Sequence, residues 1–256
     1  MSGLYLNLAF AAYFLAAVFY TIGLFFRNKI LPSLARISLF CAWSGLTLYI
    51  ALRWQAAARP PLSNMFESLV IFSWVIAAAA FFIDIKYGSY AVSSLSALLG
   101  LLGLGYASLL DKEITPLLPA LKSNWLTIHV LTCFIGYAAL TVAFVSSAVI
   151  LGKKKEDHKL DGLSHRAIAF GFLFLTLGII TGSVWANSAW GSYWSWDPKE
   201  TWSLITWFIY AIYLHIRFTK GWKAKKAAWV SVIGFLAMLF TYFGVNYLLS
   251  GLHSYS

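Results

Sequence analysis

Eight apolar segments follow one another along this chain, each close to the length of a bilayer span. They run roughly Leu4–Phe26, Ile37–Leu52, Phe66–Ile83, Tyr90–Leu110, Trp125–Leu151, Ala167–Ala186, Trp202–Phe218 and Ala228–Leu249. A helix needs roughly 20 mostly apolar residues to cross a bilayer, and inside hydrocarbon it must satisfy its own backbone polar groups. No soluble linker or low-complexity tract separates the segments. The expectation is an all-α integral membrane protein of about eight transmembrane helices, with residues 1–256 forming one polytopic membrane domain. Met1 to Phe26 lacks a basic leader and its apolar stretch is of span length, so it reads as the first helix rather than a cleavable signal.

Composition agrees. The chain is 61% hydrophobic and 11% charged, where a soluble domain carries about a quarter charged residues. The net charge of +10 does not indicate nucleic acid, because the basic residues sit in short runs between apolar segments. Arg27, Lys29, Arg36, Lys86, Lys153, Lys154, Lys155, Lys159, Arg166, Arg217, Lys220, Lys223, Lys225 and Lys226 fall on one side, fourteen in all. Arg53, Arg59, Lys112, Lys122 and Lys199 fall on the other. The first side is expected to be cytoplasmic, with both termini and the loop from Asn187 to Thr201 outside. Cys41 and Cys133 form no CxxC or CxxCH, which excludes a thioredoxin-like pair and a c-type cytochrome; both read as packing residues.

Two outer helix starts carry caps. Asp197-Pro198-Lys199-Glu200 reads as N-cap, proline at the first helical position and an acid at the third. Asn64-Met65-Phe66-Glu67 repeats the spacing. Gly251 follows the last span, where a helix C-terminus favours glycine.

His158 and His165 read as solvated residues of the basic loop. His129 lies about one turn inside the fifth span, near the outer interface, and His253 just beyond the last. His215 lies inside the seventh span, about 25 Å from Pro198 at 1.5 Å per residue. Each is either a packing residue or a ligand. The loop at about 187–201 raises the second possibility. Trp185, Trp190, Trp194, Trp196, Trp202 and Tyr193 fall within 18 residues, denser than an interfacial aromatic belt requires. A flat apolar ligand such as haem, whose iron takes axial imidazoles, suits such a surface. Asp197, Glu200 and Glu67 are explained by capping alone, with a role beside a ligand as the alternative. Lys199 is either an exposed interfacial lysine or a partner for a haem propionate.

The run Trp190-Gly191-Ser192-Tyr193-Trp194-Ser195-Trp196-Asp197-Pro198-Lys199-Glu200-Thr201-Trp202 resembles the tryptophan-rich WWD signature of haem-handling proteins. Pro61 to Leu69, Tyr213-Leu214-His215-Ile216-Arg217 and Gly251-Leu252-His253-Ser254-Tyr255 resemble the CcsA/ResC family of system II cytochrome c biogenesis. That resemblance implies a subunit of a cytochrome c haem lyase. With a CcsB/ResB membrane partner it would carry haem b across the membrane and attach it to the CxxCH of apocytochrome c, served indirectly by a thiol-reducing pathway. By the same resemblance His129 and His253 would be axial ligands of the haem iron on the outer side. Trp190, Gly191, Trp194, Trp196, Asp197 and Trp202 would line that haem. His215 would bind haem on entry, opposite a ligand from CcsB, with His165 the in-chain candidate. The membrane would be the bacterial cytoplasmic or the thylakoid membrane. The alternatives are a system I haem-delivery protein like CcmC, a b-type electron-transfer cytochrome and a small-molecule transporter.

Overall fold

A computed structural model describes residues 2–26, 30–249 and 251. Among them all regular structure is helical: α1 Ser2–Phe25, α2 Leu31–Ala57, α3 Met65–Tyr87, α4 Tyr90–Ser108, α5 Asn124–Gly152, α6 His158–Trp190, α7 Pro198–Lys220 and α8 Ala224–Leu239. A π-helical segment, Phe240–Gly244, continues α8 into a last short helix, α9 Val245–Leu248. A 3₁₀ turn, Pro119–Leu121, precedes α5. Seven helical stretches are long and apolar enough to cross a membrane; α7 is not among them. It has 23 residues, enough to span at 1.5 Å each, but Lys199, Glu200, His215, Arg217 and its tryptophans and tyrosines dilute it. The protein is an integral membrane protein.

The chain forms two compact units, residues 1–116 and 117–256. In the first, polar side chains tie apolar helices together. Tyr13 of α1 donates to the carbonyl of Ser73, and Ser73 Oγ to that of Gly100. Asp84, fully buried in α3, accepts from Tyr20 of α1 and Arg36 of α2. The N-terminal end of α3 holds a second knot. Glu67, 1% exposed, binds Arg53 Nε at 2.9 Å and Arg59 Nη1 at 3.1 Å, and accepts from the N–H and hydroxyl of Ser63. The same arginines donate to the carbonyls of Lys112, Glu113 and Thr115. Asn64 caps Glu67 as its spacing predicts, yet the Glu67 side chain turns to the arginines. Hydropathy ends the second segment at Leu52, but α2 runs on through Arg53 to Ala57 because Glu67 offsets the buried guanidinium.

In the second unit α5 and α6 meet across glycines. A Cβ at Gly136 would stand 3.1 Å from the backbone of Leu175, and one at Gly171 would stand 2.8 Å from Leu140. Small residues let membrane helices approach this closely, where dispersion replaces the hydrophobic effect as the driving force. Gly178 and Gly182 extend the stripe towards the aromatic loop. At the other end Asp161 of α6 pairs with both terminal nitrogens of Arg217 on α7, at 2.7 and 3.1 Å, and accepts the N–H of Ala224 that opens α8. One carboxylate thereby gathers three helices.

The segment read as a loop from Lys153 to Arg166 is shorter than expected. Asp157 caps Leu160, and α6 begins at His158 and runs 33 residues. His158 is exposed, but His165 lies within the helix, half-buried, its ring 6.2 Å from that of Tyr213. Apolar content marks the hydrocarbon-spanning part of a helix and not its polar first turns. Gly251 is a second difference. The last helix ends at Leu248, with Leu249 extended as its C-cap, so Gly251 does not terminate it.

Candidate functional site

The site lies in the second unit, where α5, α6, α7 and the end of α8 present side chains around the tryptophan-rich loop. His129 comes from the second turn of α5, which Ser123 caps by accepting the N–H of Trp125. Its Nδ1 is 2.7 Å from the carbonyl oxygen of Gly178. A carbonyl only accepts, so Nδ1 carries the proton and the lone pair lies on Nε2. The imidazole is nearly parallel to the ring of Trp185, 6.1 Å away at 18°. Gly178 and Gly182 create its berth. A Cβ at Gly182 would lie 2.6 Å from Nδ1, and one at Gly178 would lie 2.6 Å from Cys133 Sγ. Cys133 shares the face of His129, its sulfur 3.7 Å from Nδ1, the weaker of two acceptors.

Trp185 is 4% exposed; its indole N–H donates to the carbonyl of Ala120 at 2.9 Å, and its ring meets Trp190 edge-on at 4.8 Å. Helix α6 ends at Trp190. Gly191, at φ 76°, forms the left-handed cap and donates its N–H to Asn187, a conformation that glycine adopts without strain. The irregular part of the loop is therefore residues 191–197, narrower than 187–201. Ser192 accepts the N–H of Trp194 and donates to its carbonyl. Trp194 and Trp196 meet edge-on at 5.7 Å. Trp196 takes φ 60°, unusual for a bulky side chain, and is 68% exposed.

Asp197 and Glu200 form the full capping box of α7. Glu200 does more: its Oε2 collects the N–H groups of Ser195 and Asp197 and the hydroxyl of Ser195. One carboxylate thus folds the loop back onto the helix it precedes, which also suits the positive end of the α7 dipole. Asp197 is buried, and Gly251 is close enough that an added Cβ would meet its carboxylate and lie 3.1 Å from Pro198. Lys199 is not a free interfacial lysine; its ammonium donates to Asn246 Oδ1 at 2.8 Å. Trp202 packs against Phe240 with ring centres 4.2 Å apart.

The structure thus brings together His129, Trp185 and Trp190 at the end of α6; Trp194 and Trp196 meet each other, and Asp197 and Trp202 lie at the start of α7. His253 lies outside the described residues, as do Leu252, Ser254 and Tyr255. His215 is apart from this group, about five turns along α7, exposed, with its carbonyl accepting from Thr219. Ile205, Phe208 and Ile212 share its exposed face. Three contributors are not legible from the motif: Gly178, Gly182 and Asn246. The glycines lie seven and eleven residues along α6 from Gly171, one face of a helix, which was the available signal. Asn246 gave none.

Among the described residues no group of three or more His, Cys, Asp or Glu is placed to hold a bare metal ion. The donor set suits an iron already bound by a macrocycle, which needs only one or two axial imidazoles beside an aromatic surface.

Residues 62–253 match the family model described as cytochrome c assembly protein. The cytochrome c biogenesis protein CcsA of Chlamydomonas reinhardtii is 45% identical over 82% of this chain and 65% of its own length, so this chain spans somewhat less than two thirds of that relative. The protein of the same name from Guillardia theta is 35% identical over 97% of this chain and 94% of its own. Among solved structures, the cytochrome c haem lyase CcmF superposes with a TM-score of 0.75 at 18% identity, over 95% of this chain and 46% of that one, a likeness of fold. These matches make the chain a member of the cytochrome c assembly protein family.

Proposed function

We propose that this chain is the haem-holding subunit of a cytochrome c haem lyase, which attaches haem b to the CxxCH of apocytochrome c on the outer side of the membrane together with a CcsB/ResB partner. The observation that carries the reading is the imidazole of His129. A hydrogen bond from Nδ1 to Gly178 fixes its tautomer, directs the Nε2 lone pair to a metal and raises its basicity. The indoles from Trp185 to Trp202 supply the flat apolar surface that a porphyrin needs.

In this reading haem is a substrate. His129 and His253 hold its iron from two sides, and Trp190, Gly191, Trp194, Trp196, Asp197 and Trp202 line its ring. His215 holds it on entry from the cytoplasmic side, with the second ligand from the partner. The thioether chemistry belongs to haem and the cysteine thiols: each sulfur and its hydrogen add across one vinyl group, with no net change of oxidation state. The chain contributes orientation, keeping the vinyl edge where a thiol can reach it. It also keeps axial ligands that the histidine of the apocytochrome can displace. The excess of lysine and arginine in the loops supports both termini, and the site, lying outside the cytoplasm. The membrane in this reading is the bacterial cytoplasmic or the thylakoid membrane.

The test is cytochrome c assembly in cells lacking the native protein. His129→Ala should abolish it, and added imidazole should restore part of it by filling the vacated ligand position. Unimpaired assembly in a His129→Ala, His253→Ala double variant without imidazole would overturn the assignment.

A further inference from the structure

We propose that the Arg59 guanidinium, at the corner between α2 and α3, binds a phosphodiester, the headgroup phosphate of a phospholipid in the outer leaflet.

This corner holds more positive charge than it neutralises. Arg53 is 6% exposed, Arg59 9% and Glu67 1%. Among the described residues Glu67 is the one acid that pairs with either arginine. Asp111 and Glu113, the acids of the adjoining segment, are exposed. One carboxylate against two guanidinium groups leaves a buried positive charge, and a buried ion without a counter-ion is costly. The carbonyls of Lys112, Glu113 and Thr115 solvate that charge as dipoles but do not cancel it. The N-terminus of α3 adds partial positive charge of its own.

The donors are as unequal as the charges. A guanidinium has five N–H groups and keeps its proton. Arg53 engages Nε and both terminal nitrogens, on Glu67 Oε1 and on the carbonyls of Lys112 and Glu113. Arg59 engages only its terminal nitrogens: Nη1 on Glu67 Oε2 and the carbonyl of Pro60, Nη2 on the carbonyl of Thr115. Its Nε–H meets no acceptor among the described residues, and Nη2 has a second hydrogen to give. Two donors on one planar group suit two oxygens of one oxyanion.

The corner does not need arginines to form. Helix α7 opens on the same construction. Asp197 caps it, and Glu200 takes the N–H and hydroxyl of Ser195, as Glu67 takes those of Ser63. Among the described residues no cation pairs with Glu200, and that corner closes on backbone N–H groups and a hydroxyl. Two buried arginines at one corner and none at the other mark the first as holding something besides its own turn.

Depth names the anion. Helices α2 and α3 are each long and apolar enough to cross a membrane, so the turn joining them lies in the headgroup layer. The abundant oxyanion there is the lipid phosphodiester, whose single negative charge matches the surplus. Arg59 lies on the side poorer in lysine and arginine, which is the outer one.

The test uses the full-length chain, purified in detergent and stripped of lipid. It is titrated with phosphatidylglycerol, with diacylglycerol of the same chains, and with inorganic phosphate at constant ionic strength. Melting temperature reads binding, because a ligand of the folded state raises it. Phosphatidylglycerol should stabilise the parent, and diacylglycerol should not. Arg59→Gln should bind phosphatidylglycerol roughly 10–100-fold more weakly. Arg59→Lys, which keeps the charge and loses the fork, should fall between. Lys112→Gln, an exposed neighbour, should bind as the parent does, which separates the site from general attraction. If Arg59→Gln does not yield folded protein, the parent and Arg59→Lys decide, and equal affinities in those two would refute the fork. Stabilisation by inorganic phosphate as strong as by the lipid would uphold the site and make the free ion its ligand. Equal affinity for phosphatidylglycerol in the parent and Arg59→Gln, or equal stabilisation by the two lipids, would overturn the proposal.

Discussion

Replacing Gly182 by alanine tests the berth of His129 most sharply. The added Cβ would stand 2.6 Å from Nδ1 and 2.7 Å from Cε1. To reach ordinary van der Waals contact near 3.4 Å, the ring must retreat by about 0.8 Å. The ring is held in place by its 2.7 Å bond to Gly178 and cannot retreat without stretching or breaking it. Three effects compete. Alanine favours helix over glycine by about 1 kcal/mol. Overpacking costs about 1–3 kcal/mol, and the lost hydrogen bond about 0.5–1.5 kcal/mol. The unfavourable pair wins, so Gly182→Ala should destabilise the protein by about 0.5–3.5 kcal/mol. Disturbing a ligand's supporting contact should also weaken haem binding by roughly 10–100-fold. Thermal unfolding in detergent and titration with haem give the two numbers. Gly152→Ala is the control, since nothing lies within 4 Å of its added Cβ. A Gly182→Ala protein that melts at or above the parent temperature and binds haem as tightly would refute the reasoning.

Three further outcomes are expected. Glu200→Ala releases three donors of residues 195 and 197 and should cost about 1–2 kcal/mol, with faster protease cleavage within residues 191–197; Glu200→Gln, which keeps an acceptor, should cost less, and equal cleavage rates in both would contradict this. Glu67→Ala leaves Arg53 and Arg59 buried without a counter-charge and should cost about 3–5 kcal/mol, so its folded yield should fall below that of Glu200→Ala; the reverse order would be incompatible with the knot described. Lys153 beside Asp157, aided by the N–H of Leu160, holds that carboxyl below its ordinary 3.8 against the opposing cost of burial. A depressed folded-state pKa means stabilisation that is present above about pH 4 and lost as pH falls further, so Asp157→Asn should lower the melting temperature in the neutral region, match the parent at low pH and thereby flatten the acid limb of the profile.

The spans were legible because hydrocarbon admits few solutions: apolar stretches of sufficient length became α1 to α6 and the run from α8 to α9, while α7 formed from a less apolar stretch. The capping box at Asp197 was equally legible, being a local rule about four residues. Helix ends were not. The polar first turns of α6 and the buried Arg53 turn of α2 exist through tertiary partners, Tyr213 for one and Glu67 for the other. The tryptophan-rich run announced a flat apolar surface, but the support of its histidine came from Gly178 and Gly182 on a neighbouring helix, which no motif around His129 contains. Gly251 shows the same limit: glycine after a span suggests a helix cap, while its actual neighbour is a carboxylate some fifty residues earlier.

The central claim is that an imidazole beside the tryptophan loop binds haem iron. Its most direct test is the absorption spectrum of the protein purified with the proposed CcsB partner, in the parent, His129→Ala and His215→Ala. Haem bands are expected in the parent, changed in each variant in a different way, as two separate sites require. Identical haem content and identical bands in all three proteins would contradict it.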